Sequence, residues 1–412
     1  MGLEARELTP LLISRAVIAS AHTRSFAKVE IVTRDVGGQR VPAKTIQRVV
    51  QDVGGELAER RDASGQRGSD LAKTPADAPD LAVIECDGGR IRTRQPEHGP
   101  GVHLEGKGWN ETKNVCLIRA QRKTFTEDPQ PEPPECFCDA QHVAKIAETE
   151  ALSVAAPVPG ETCVNEDQAD AAAVPVAADW RPKRLVRTVL ASMASSKEFG
   201  RQMAREAKRR RFDKARVQAF LGDGLPWNWS IWKKHFSQAV PILDFIHVLS
   251  YLFGAAKAVH EQAQDTWDQY LVWMRGCWQG EIDQVLGELA AWQQRLGDPP
   301  EDAAATDPRE VIRITLQYLQ NNQSRMNYPE YRKQGLPVTT AWMESLVKEI
   351  NWRTKGTEMF WNNPSGAEAI LQVRAAALCD DDRLKHHLQT RPGNPFTRRP
   401  KSTKLSPEKI KS

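Results

Sequence analysis

Twice in this 412-residue chain a short apolar run ends on an aspartate beside glycine. The two are LAVIECDGG at Leu81–Gly89 and ARVQAFLGDG at Ala215–Gly224. Each run has the length and content of a buried strand closed by a turn signal. A carboxylate at such a strand end emerges at the sheet edge, and the glycines let another backbone or a phosphate come close.

The flanking sequence extends the pattern. After Asp87-Gly88-Gly89 an alternating stretch predicts a tight turn and a second strand, and KNVCLIRAQRKT (Lys113–Thr124) predicts a third, so an antiparallel meander is expected. Helical periodicity is expected from Arg181 to about Lys208, ahead of the strand that ends at Asp223. AVPILDFIHV (Ala239–Val248) predicts a further strand running into a helix. Residues 250–335 read as helical, broken at GDPPEDAAATDP (Gly297–Pro308) and with Trp267, Trp273, Trp278 and Trp292 at core positions. A late helix within Leu336–Gly356 takes Thr339 or Thr340 as its cap. Three strands, helix, strand, helix, strand and a helical block is the element order of an α/β, ribonuclease-H-like core interrupted by an all-helical insertion.

The rest divides around that core. Residues 1–65 form a helical N-terminal region, with a helix over about Leu8–Ala21 and another begun by Pro42 that turns Ile46, Val49, Val50 and Val53 to one face. A helix-turn-helix and a small helical cap fit this region equally well. Residues 66–79 read as a linker, 80–249 as the first part of the core and 336–380 as its last part. Within the first part, 127–179 is rich in Pro, Ala and Val and is expected to be a disordered insertion. Residues 390–412 are expected to be a basic disordered tail. No apolar run is long enough to cross a bilayer, and seven scattered cysteines argue against a disulfide framework, so a cytoplasmic protein without membrane contact is expected. Cys136, Cys138, His142 and Cys163 lack zinc-knuckle spacing and read as free thiols and a loop.

The net charge of +4 is too small to indicate nucleic acid, but the basic residues cluster at Arg205–Arg216, including Lys208 and Arg210, and again in the tail. A solvated helix face is the plain alternative for each cluster. Arg90, Arg92 and Arg94 alternate along a strand and so share one face, which could track DNA.

Asp87, Asp223 and Glu344, the last in the first turn of the late helix, are the candidate catalytic residues. Singly each has an ordinary explanation, as a turn aspartate or a helix-dipole partner. Together they offer hard oxygen ligands for two divalent ions roughly 3.5–4 Å apart, the arrangement that stabilises both the attacking and the leaving oxygen in phosphodiester chemistry.

The blocks CDGGRIRTR, LGDGLPWNW, ILDFIHVLSYL, YLQNNQSRMNYPEYRKQGLPVTTAWMESLVKEINWRTKG and MFWNNPSGAEAILQVRAA, in that order, resemble bacterial insertion-sequence transposases of the ISKra group, relatives of the Mutator-like DDE transposases. The resemblance covers most of residues 80–380. It implies a DDE catalytic set at Asp87, Asp223 and Glu344 that binds two Mg2+ ions, with Mn2+ able to substitute. It also implies an accessory Asp-x-x-His pair at Asp244 and His247, and Lys348 one turn beyond the glutamate. Trp227, Arg353 and Lys355 fall within the matched blocks and join Arg90, Arg92, Arg94, Lys208 and Arg210 as candidate DNA contacts. The implied reaction is cleavage of DNA at the element's terminal inverted repeats, then joining of the 3′-hydroxyl ends to target DNA by a homo-oligomer. The family's GLPIGSG-like approach to the glutamate is replaced here by Val338, Thr339 and Thr340, which alters the start of that helix. Two other readings stand beside this one: a ribonuclease-H-like nuclease without strand transfer, and a decayed or repurposed DNA-binding protein.

Overall fold

The computed structural model describes residues 8–63, 75–94, 108–148, 152, 180–355, 360–361 and 363–391. The chain separates into two compact units, one built from its first 73 residues with residues 365 onward, the other from Thr74–Pro364.

The first unit begins with α1 (Pro10–Ala21), α2 (Phe26–Asp35) and α3 (Ala43–Asp62). Thr9 and Ser25 cap α1 and α2 by accepting the Leu12 and Lys28 amides. Pro42 gives α3 no side-chain cap, and Glu30 of α2 accepts the Ala43 N–H at 2.9 Å instead. Ile46, Val49, Val50, Val53 and Leu57 are buried along α3, as their spacing predicts.

The second unit holds a five-stranded sheet of order β3-β2-β1-β4-β5: β1 (Leu81–Arg92), β2 (Trp109–Gln121), β3 (Lys183–Ser192), β4 (Val217–Gly222) and β5 (Val240–Leu243). β1 to β3 are antiparallel neighbours, while β4 and β5 run parallel to β1. Asp87-Gly88-Gly89 is not a turn. It lies inside the continuous strand β1, paired with Asn114, Lys113 and Thr112 of β2. Gly89 is needed there because a Cβ would meet the Thr112 hydroxyl at 2.7 Å. The expected helix over 181–208 is likewise corrected. Lys183–Ser192 is β3, and only Ser196–Arg209 is helical (α5), following a short α4 (Ala140–Ile146).

Residues of α5 and α6 (Pro226–His235) cover one sheet face. Phe199, Met203 and Ile231 pack there on Ala82, Ile84, Cys86, Leu117, Leu190 and Phe220. The helical block follows as α7 (Phe245–Val259), α8 (Ala263–Gln279), α9 (Ile282–Leu296), α10 (Pro308–Asn322) and α11 (Tyr328–Lys333), with the expected break between α9 and α10. Trp267, Trp273 and Trp278 are buried and Trp292 half-buried. Next, α12 (Ala341–Thr354) packs on β1 and β2, and Arg187 of β3 pairs with its Glu349 at 3.7 Å.

Residues 127–148, expected to be disordered, form an ordered strap along the helical block. Asp128 pairs with the fully buried Arg332, the Trp278 indole donates to the Gln130 carbonyl at 2.9 Å, and Phe137 packs against Phe245 and Trp278. Residues 153–179, with Cys163, lie outside the described residues, as do 66–74 of the linker and 392–412 of the tail. Cys136 and Cys138 carry no disulfide.

The chain returns to the first unit with α13 (Pro364–Ala377) and α14 (Arg383–Thr390), so residues 365–380 belong with the N-terminal helices rather than with the unit that holds the sheet. Gly54 of α3 permits this packing, since a Cβ there would lie 2.3 Å from the Ala369 carbonyl oxygen. Glu56 joins α3 to α14 by accepting from Arg391 at 2.7 Å and contacting His387 Nε2 at 3.0 Å. Burial alone would raise the Glu56 carboxyl, but its bonds to His387 and Arg391 outweigh that and hold it at about 2. A carboxylate depressed in the folded state stabilises above its unfolded value of 4.5 and loses that contribution as pH falls towards 2. Glu56→Gln is expected to cost about 1–2 kcal/mol at neutral pH, after allowance for solvent screening, and nothing at pH 2. Thermal unfolding of both proteins across pH 2–7 checks this; parallel curves would refute it.

Candidate active site

The register of the parallel strands builds the site. Cys86, Gly222 and Leu243 lie in one row across β1, β4 and β5. The next residue on each strand is a carboxylate: Asp87, Asp223 and Asp244. The Asp244 amide extends the ladder by donating to the Gly222 carbonyl at 3.0 Å. Adjacent strands are about 4.8 Å apart, so three acidic side chains start from one narrow strip.

Their surroundings differ. Asp244 is fully buried and caps α7, accepting from Ile246 N at 3.3 Å, and it contacts His247 Nδ1 at 2.6 Å. It also accepts the Thr340 amide at 2.9 Å and the Thr340 hydroxyl at 2.8 Å. Thr340 is the residue before α12, and its hydroxyl is turned to Asp244 rather than capping its own helix. This fastens the start of the helix that carries Glu344 to the end of β5. Glu344 is half-buried in the first turn of α12.

Asp223 accepts from Leu225 N at 2.8 Å and from the Asn228 amide nitrogen. Burial pushes its carboxyl above the ordinary range. Burial, with the fields of Asp223 and Asp244, raises Asp87 to about 6, against the opposing field of His247 and a bond from Gly88 N. Burial would lower His247, but the bond to Asp244 and the fields of all three aspartates lift it to about 9, so at neutral pH it is a cation facing the carboxylates. The buried Oδ1 atoms of Asn114, opposite Asp87 on β2, and of Asn228, beside Asp223, accept no hydrogen bond from any of the described residues.

The structure thus brings together Asp87, Asp223, Asp244 and His247. Among the described residues no group of three or more His, Cys, Asp or Glu side chains stands close enough together to hold a metal ion. Lys348 is exposed on α12.

Two candidate DNA contacts are corrected. Arg210 is buried, and its guanidinium bonds Glu206 at 2.9 Å, so it does not face solvent. Arg353 is 1% exposed, with its guanidinium over the Trp361 ring. Each replaces hydration with a partner inside the protein. Lys208, Arg90 and Lys355 are exposed, while Arg92, Arg94 and Trp227 are half-buried. Trp227 packs against the sheet core, with Lys113 Nζ 5.7 Å from its ring.

Sequence reasoning missed Trp109, which is 38% exposed at the start of β2. Arg92 lies 4.9 Å and Lys355 5.7 Å from its ring centroid. An exposed indole beside two cations is the pairing that suits an unpaired nucleotide, a base on the ring and phosphate on the charges. The pairing of β1 with β2 sets Arg92 beside Trp109, and the end of α12 brings Lys355 to the same ring, so the two cations are visible in the sequence but Trp109 is not.

Among the described residues, no helix is long and apolar enough to cross a membrane. No protein-family model matches the chain. No curated protein matches it in sequence. Among solved structures the chain is similar to the Drosophila P element transposase in its strand transfer complex, at 10% identity and a TM-score of 0.35, over 92% of this chain and 94% of that one.

Proposed function

We propose that this protein is a DDE transposase with a ribonuclease-H-like core that cleaves DNA at the ends of a mobile element and joins the freed 3′-hydroxyls to target DNA. The observation that carries the reading is the acidic row: Asp87 and Asp223 at matching positions on adjacent parallel strands, with the Glu344 helix fastened beside them through Asp244. The strand order β3-β2-β1-β4-β5, antiparallel then parallel, supports the ribonuclease-H-like reading, and the helical block before Glu344 supports the interrupted form of that core. The sequence blocks that resemble ISKra-group transposases centre on these same residues.

Asp87, Asp223 and Glu344 would hold two Mg2+ ions. Two features favour such ions: burial pushes up two of the carboxylates, and two buried amide oxygens beside them accept no hydrogen bond from a described residue; the side chains as placed do not close around an ion, so binding would have to draw them together. When bound, the ions supply charge stabilisation at the attacking and leaving oxygens. The chain's own contribution is orientation. Leu225 N and Asn228 hold the Asp223 carboxylate, Gly88 N bonds that of Asp87, and Thr340 sets the start of the Glu344 helix. Mg2+-dependent nicking of a DNA carrying the element's own ends tests the proposal. Cleavage without end joining would mark a nuclease, and binding without cleavage a DNA-binding protein.

The surface around Trp109 would take the nucleic acid. Trp109→Ala is expected to weaken binding of a short single strand by about 1–3 kcal/mol, and Trp109→Phe to recover most of it. Lys355→Ala is expected to reduce the slope of log affinity against log salt by about one. Fluorescence anisotropy at several salt concentrations measures both, and unchanged affinity in Trp109→Ala would remove this surface from the DNA path.

A further inference from the structure

We propose that Tyr318, on α10 of the helical block, is a positioning residue for Asp223, so that this block is a working part of the catalytic site. The inference rests on the reading of Asp223 as a catalytic carboxylate.

Asp223 sits where β4 ends, and the chain turns at once through Gly224 at φ +95°, a left-handed conformation open to glycine, so the position of Asp223 depends on restraints around the turn. The Tyr318 hydroxyl supplies one, donating to the Asp223 carbonyl at 2.8 Å. Its ring fills the space beside Gly224, where a Cβ would come within 2.5 Å of it. The ring is itself held face to face by Tyr251 of α7, with centroids 3.8 Å apart and planes 10° from parallel. Burial and the neighbouring Tyr251 push the Tyr318 phenol well above its ordinary range, so it remains a donor at any working pH.

The same helix grips the far end of the turn. Asn322, one turn beyond Tyr318, accepts from the Trp229 indole at 2.9 Å and donates to the Tyr318 carbonyl at 2.9 Å. Arg325 covers the Trp229 ring at 4.4 Å. Residues 223–229 are therefore clamped at both ends by α10 and the turn after it, while Leu225 N and Asn228 fix the Asp223 carboxylate from within the loop. Tyr318 bonds the main chain of Asp223 and acts through that residue.

Tyr318→Phe keeps the ring and its stack and removes only the hydroxyl. In the full chain it is expected to speed amide exchange in a peptide spanning residues 222–228 by about 3- to 10-fold, and to weaken Mn2+ binding, measured by titration calorimetry, by a similar factor. Exchange in β1 and β2 stays as in the wild type. The turnover number for cleavage falls while the KM for DNA holds. Tyr270→Phe, which removes a buried hydroxyl of the same helical block that donates to the Phe137 carbonyl at 3.1 Å, away from the 223–229 turn, serves as the control and matches wild type. Unchanged exchange and Mn2+ affinity in Tyr318→Phe overturn the positioning role, and loss of Mn2+ binding in Asp223→Asn would then still support the carboxylate reading. A wild-type protein that takes up no Mn2+ overturns both.

Discussion

Asp223→Asn is expected to lower Mg2+-dependent strand cleavage by roughly 10^3-fold or more, with DNA affinity almost unchanged, because a ligand charge that stabilises the transition state contributes several kcal/mol. The fold should survive. Burial raises the Asp223 carboxyl, so its ionised form is disfavoured in the folded protein, and at neutral pH that charge costs stability. Asparagine removes the charge and can keep an acceptor for the Leu225 amide, which lies 2.8 Å away. Without metal, the variant should therefore melt at or above the wild-type temperature. With Mg2+ added the order should reverse, since an ion that binds only the folded state stabilises it and the variant has lost a ligand. Loss of activity accompanied by a lower metal-free melting temperature would instead point to misfolding. Cleavage that survives the substitution would end the catalytic assignment.

Asp223 and Glu344 stand out in the sequence as candidates because local chemistry marks them. A buried strand that stops on Asp-Gly is visible at Asp223, and the start of the helix carrying Glu344 is visible in the approach to α12, although Thr340 bonds Asp244 instead of capping that helix. The failures were failures of local chemistry too. Asp87-Gly88-Gly89 has the composition of a turn, but what selects Gly89 is the approach of Thr112 from the next strand, a contact between residues 23 positions apart. β3 was misread because Leu185, Val186, Val189 and Leu190 fall at helical spacing as well as in a strand, and the β-branched content was the better arbiter. The strap reads as disordered by composition because its few anchors, Asp128, Gln130 and Phe137, find their partners far along the chain at Arg332 and Trp278. Arg210 and Arg353 looked like surface charges because an arginine's burial depends on partners that a basic run does not reveal. Nothing in the late sequence signals that α13 and α14 complete the N-terminal unit. Tyr318 carries no motif at all; its meaning lies in what it touches.

Asp244→Ala should produce the largest loss of stability. The carboxylate is fully buried and takes hydrogen bonds from Thr340 N, the Thr340 hydroxyl and Ile246 N, besides its pairing with His247. Alanine would leave the buried Thr340 amide without an acceptor and His247 without its counter-ion. Breaking a buried pair from one side costs about 3–5 kcal/mol. Thr340→Val removes only the hydroxyl bond and should cost about 1 kcal/mol. Both variants loosen the start of α12, so both should lose cleavage through Glu344 although neither alters a catalytic carboxylate. A pH signature separates this from general destabilisation. His247 is raised to about 9 in the folded protein from 6.5, so its contribution is complete below pH 6.5 and disappears as pH rises through 9. Its side chain is 37% exposed, which screens the interaction and makes the slope shallow. The slope should be present in metal-free wild type and in Thr340→Val, and clearly shallower in Asp244→Ala, where only the fields of Asp223 and Asp87 remain to raise His247. Denaturant unfolding between pH 6 and 10 measures it. If Asp244→Ala keeps the slope, His247 does not depend on Asp244 for its charge; if Thr340→Val cleaves at the wild-type rate, the hydroxyl does not position the Glu344 helix.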